Sequence, residues 1–66
     1  MILPVGPHYI VELEPGVWVA PWWGDPGRTM VKSSAKRFGS MPAALRAMSK
    51  AREIRPFPVA KVEEVP

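Results

Sequence analysis

The side chains through which this chain would do acid–base or covalent work are few. Glu12 and Glu14 lie on one stretch and Glu63 and Glu64 on another, with a lone histidine at His8 and serines at Ser33, Ser34, Ser40 and Ser49. Paired carboxylates serve general acid–base chemistry or hold a hard cation, but only with an apolar pocket or a further set of oxygen ligands. No spacing in the sequence supplies either, so solvated strand faces are the plainer reading. No motif pairs a serine with His8 as an activated nucleophile. There are no cysteines, which removes disulfides, thiolate metal sites and thiol chemistry. The sequence therefore predicts a protein that is not an enzyme and uses neither a metal nor a cofactor.

Gly24-Asp25-Pro26-Gly27-Arg28-Thr29 has the look of a phosphate-cradling loop. It lacks the spacing, and the lysine followed by serine or threonine, that grip nucleotide phosphates. A turn, with Asp25 and Arg28 close enough to pair, is the expectation. The adjacent Trp22-Trp23 is the most unusual local feature. Successive strand residues face opposite sides, so both cannot enter one core if a strand continues through them. One of the two should be exposed unless residues 4–7 pack over it. An exposed tryptophan beside cations can anchor a protein interface or stack on a base.

Charge is segregated along the chain. Residues 1–25 carry three acids and no base, residues 26–62 nine bases and one acid, and residues 63–66 two acids; the net charge is +3. Such a distribution suits a polyanion or an acidic protein surface. On the helical stretch the plainer reading is a solvated face, since Lys50 and Glu53 sit at helix-pairing distance. Arg28, Lys32, Lys36 and Arg37 fall in a loop-rich segment, where binding groups concentrate. Trp22, Trp23, Arg28, Lys32, Lys36 and Arg37 are thus the expected binding residues.

Elements to position them can be read from pattern and punctuation. Sixty-six residues make one small domain over 1–66, with 1–7 a loose arm because it holds two prolines and a glycine. Tyr9 to Glu14 alternates, with Tyr9, Val11 and Leu13 on one face and Ile10, Glu12 and Glu14 on the other. Pro15-Gly16 suits a two-residue turn, and Val17 to Trp22 alternates again. A regular hairpin would set Leu13 opposite Trp18, Val11 opposite Ala20 and Tyr9 opposite Trp22. Thr29 to Lys32 is a possible short third strand, with a turn or loop over 33–37.

Ser40 is a good N-cap and Pro42 fits a first turn; Pro56 should end the helix near Glu53 or Ile54. Met41, Ala44, Leu45, Met48 and Ala51 make an apolar stripe, opposed by Arg46, Lys50 and Glu53. Val59 to Val65 reads as a final strand with Ala60 and Val62 inward. The expected fold is α+β: a small antiparallel sheet in ββ(β)αβ order with one helix packed across one face. The six aromatics either share one core or lie partly in an interface.

The run Ala35-Lys-Arg-Phe38, then Ser40, Ala43-Ala44 and Ala47, followed by Ala51-Arg52 and Arg55-Pro56-Phe57, resembles a pattern in small uncharacterised phage and prophage proteins. These share a hairpin, an Ala-x-x-Phe step, an alanine-rich helix and a final strand, and the resemblance spans roughly residues 9–65. It implies a phage-like origin and transfers no functional residue.

The N-terminal residues lack the charge and apolar run of a signal peptide. The longest uncharged apolar stretch, residues 16–24, is far short of the roughly twenty residues a spanning helix needs. A cytoplasmic protein with no membrane role is expected. Three readings of function follow. The leading one is a small module contacting another protein through an exposed tryptophan and neighbouring bases. The second is a nucleic-acid-binding accessory protein using the basic stretch 28–55, although no second helix stands at helix-turn-helix spacing. The third is a homodimer pairing its edge strands, so that the chain is either monomer or homodimer.

Overall fold

A computed structural model describes residues 7–66. The arm expected over 1–7 lies, except for Pro7, outside the described residues. Strands β1 (His8–Glu14), β2 (Val17–Val19) and β3 (Arg28–Thr29) precede the helix α1 (Met41–Ile54), and β4 (Lys61–Val65) follows it. The strands form one antiparallel sheet in the order β3-β2-β1-β4. With α1 packed on one face, this is the expected α+β architecture.

The hairpin forms, but its register differs from a regular ladder. Glu12 stands opposite Trp18 and Glu14 opposite Val17, so Leu13 is bulged. The cause lies in the turn. Gly16 has φ of +82°, as the third residue of a type II turn requires. Such a turn twists the strands less favourably than the primed hairpin turns, and a bulge restores local right-handed twist. In consequence Val19, not Trp18, joins the core, and the expected Val11–Ala20 and Tyr9–Trp22 pairs do not form.

β2 ends at Val19 instead of running on to Trp22. The Ala20 N–H makes a last rung toward the β3 side, to the Gly27 carbonyl at 2.9 Å, and Pro21 has no N–H to continue the ladder. The lane β2 vacates is filled from further along the chain. Lys36 donates its N–H to Val19, and Phe38 exchanges both backbone bonds with Tyr9 at 2.9 and 2.8 Å.

The third strand is shorter and earlier than the expected 29–32. The Thr29 hydroxyl accepts the Val31 N–H at 3.0 Å, which diverts the backbone from the ladder into a short 3₁₀ turn at Lys32–Ser34. β4 likewise starts at Lys61 rather than Val59, because Ala60 donates to the Phe57 carbonyl and closes a turn through Pro58 and Val59.

The helix matches its signals. The Ser40 hydroxyl accepts the Ala43 N–H at 3.3 Å, and the residue before Pro56, Arg55, is extended. The core against the sheet consists of Val11, Leu13, Ala44, Ala51 and Phe57. Ala47 and Met48 pack beside them, while Met41 and Leu45 lie at the margin, 40% and 43% exposed. Two fully or nearly buried alanines let the helix approach closely, so the contact stripe is narrower than the apolar pattern. On the sheet, Val62 and Ala60 face inward as expected. Ile10, on the opposite face, is also buried at 2% exposure. Its cross-strand neighbour Glu63 is ion-paired with Lys32, which brings the 3₁₀ turn over this face.

Candidate functional site

The segment from Ala20 to Gly27 forms a closed loop, because its ends meet through the Ala20–Gly27 hydrogen bond. Its closure depends on glycine. A Cβ placed on Gly27 would lie 1.9 Å from the Trp22 carbonyl oxygen, so the backbone passes Trp22 where only a hydrogen fits. A second tie runs to the helix end, where Arg55 Nε donates to the Asp25 carbonyl at 3.0 Å. The loop therefore stands beside α1, fixed at its base and near its tip.

Both tryptophans of the pair are exposed: Trp22 at 51% and Trp23 at 98%. The expectation that one would be covered rested on a strand running through them, and the strand has already ended at Val19. Between this loop and α1 lies an open groove of about 270 Å³. Val19, Phe38, Ala47 and Ala51 form much of its lining, Trp22 and Trp23 belong to the loop, and Ile54 to the helix end. Two lysines also line it. Lys36 comes from the segment beside β1, with its ammonium 5.3 Å from the centre of the Phe38 ring, and Lys50 comes from α1. The groove lining contains no acid. Chemically it can bury apolar side chains and neutralise carboxylates beside them.

The six expected binding residues do not share one surface. Trp22, Trp23 and Lys36 line the groove. Arg28 lines a separate depression with Glu14 and Met30. Lys32 and Arg37 line a third with Glu63 and Pro66. There Lys32 pairs with Glu63, and Arg37 Nη1 donates to the Pro66 carbonyl at 2.8 Å. Arg28 and Asp25 make no ion pair among the described residues.

Sequence reasoning missed Lys50 and Ile54. Ala47, Lys50, Ala51 and Ile54 have the i, i+3, i+4, i+7 spacing of one helix face, and the signal was present. By helix spacing alone Lys50 falls on the solvated side, because nothing local indicates that a loop stands next to it.

Two of the four strand glutamates are engaged elsewhere, and the His8 Nδ1 is buried with no hydrogen-bond partner among the described residues. Glu12 pairs with Lys61 at 3.4 Å and accepts the Gly16 N–H at 3.3 Å. Glu63 holds Lys32, and His8 begins β1 opposite Val65. Among the described residues no three histidine, aspartate or glutamate side chains gather as a metal site, and no helix is long and apolar enough to cross a membrane. The chain matches no family model, no curated protein and no solved structure.

Proposed function

We propose that this chain is a non-enzymatic binding module that contacts another protein in the cytoplasm, through the groove beside Trp22 and Trp23. The observation that carries the reading is Trp23, 98% exposed on a loop tied down at both base and tip. Because the loop backbone is tied at base and tip, docking has to order little beyond the tryptophan side chain itself, and tryptophan is among the residues that dominate interface energetics. The hairpin, helix and final strand are also compatible with the phage-like accessory proteins that the sequence pattern resembles.

Nucleic acid is the weaker reading. Of the nine bases, Lys32 and Lys61 are paired with glutamates, and Arg37 and Arg55 are tied to backbone carbonyls. That interrupts the stripe a polyanion would follow.

The test is capture of a partner by the intact chain and by Trp23→Ala, from the cells that produce it. The variant removes a side chain with almost no buried area, so its stability should stay within about 0.5 kcal/mol of the parent. Loss of a captured protein at unchanged stability is expected. Equal capture by both overturns the reading. So does binding to a generic single strand or duplex that weakens linearly in a log–log salt plot and quenches tryptophan fluorescence, which would move the function to nucleic acid.

A further inference from the structure

We infer that the occupant of this groove is a short acidic segment of a partner protein, an apolar side chain flanked by carboxylates. The inference rests on the reading of the groove as a protein-docking site and adds its chemistry. Charge complementarity is the first argument: Lys36 and Lys50 both line the groove, from different elements, with no acid among the lining residues. A segment carrying lysine or arginine would meet like charge from both. Held above the Phe38 ring, the Lys36 ammonium is already placed at the boundary between apolar lining and solvent.

Size is the second argument. At about 270 Å³ the groove falls below the roughly 300–1,000 Å³ of pockets that enclose a cofactor or drug-sized molecule, and it is open to solvent. Its helix wall runs from Ala47 to Ile54, about 10 Å at 1.5 Å per residue. An extended chain covers that length in about three residues. The groove thus admits one or two apolar side chains, with the neighbouring residues of the segment left at the lysines.

Three blocked synthetic peptides of equal length test this against the intact protein: leucines flanked by glutamates, leucines flanked by lysines, and serines flanked by glutamates. The readout is the NMR shift of the Trp22 and Trp23 indole N–H groups and of the Ala47 and Ala51 amides. The leucine–glutamate peptide should bind about fivefold tighter than the leucine–lysine peptide at low salt, as two exposed ion pairs provide, with that margin shrinking as salt is added, and tighter than the serine–glutamate peptide at every salt concentration. The double variant Lys36→Glu, Lys50→Glu should reverse the preference between the two leucine peptides. Equal binding of both leucine peptides overturns the acidic occupant and leaves the docking groove standing. Equal binding of the serine–glutamate peptide overturns the apolar anchor. No shift from any peptide overturns the inference, whereas the broader reading fails separately, through undiminished partner capture by Trp23→Ala.

Discussion

Replacing Gly27 with alanine should unlatch the tryptophan loop, and the cost can be worked from the backbone. The added Cβ would sit 1.9 Å from the Trp22 carbonyl oxygen and 2.9 Å from its carbon. Ordinary contact begins near 3.4 Å, so the two strands of the loop must separate by about 1.5 Å. Such overpacking costs about 1–3 kcal/mol. Separation also stretches the Ala20–Gly27 hydrogen bond, worth about 1 kcal/mol net. Reduced freedom of the unfolded chain returns about 0.4–1 kcal/mol. A net loss of about 2 kcal/mol is expected, a large share of the roughly 3–10 kcal/mol available to a domain of this length.

At about 7 °C per kcal/mol for a chain this short, Tm should fall by about 14 °C. Two other glycines calibrate the measurement. Gly39→Ala meets no atom within 4 Å and should stay within about 0.5 kcal/mol of the parent. Gly16→Ala also meets nothing, but its φ of +82° should cost about 1 kcal/mol. Thermal and urea unfolding of the three variants gives the order directly. A Gly27→Ala protein as stable as Gly39→Ala, with unchanged Trp22 and Trp23 indole shifts, would refute the close-approach argument.

Other expectations follow from burial and pairing. Leu13 is fully buried at the bulge, and Leu13→Ala should cost about 2–5 kcal/mol in urea unfolding. Ser40→Ala removes the helix cap and should lower stability by about 1 kcal/mol, whereas Ser40→Asp should retain most of it; circular dichroism melts separate the two. The edge strand β4 is only five residues long and carries Lys61, Glu63 and Glu64, features that discourage strand pairing between copies. Sedimentation at several concentrations should accordingly give a monomer, and a concentration-dependent dimer would revive edge pairing.

Features encoded within a few residues of one another were legible in the sequence. The helix from Met41 to Ile54 announces itself by Ser40 and Pro42 at one end and Pro56 beyond the other. The hairpin is announced by Pro15-Gly16 between two alternating runs. What depended on pairing between distant segments was not legible. Pro15-Gly16 signals a type II turn and with it an unsettled register, but not that the bulge falls at Leu13 and moves Trp18 off the core face.

The binding residues divide along the same line. Trp22 and Trp23 stood out by type, because two large aromatics beside a Gly-Asp-Pro-Gly turn are hard to bury together. Which cations stand with them depended on tertiary contacts. Lys36 reaches the groove because its segment takes the lane β2 leaves beside Tyr9, and Lys50 because the loop comes to rest beside its helix face. Lys32 and Arg37, close to Lys36 in the chain, are carried to Glu63 and Pro66 instead. Backbone propensities and caps act over a few residues and can be read along the chain; register, lane and loop placement are set by contacts between residues far apart in it, and only the folded chain chooses among them.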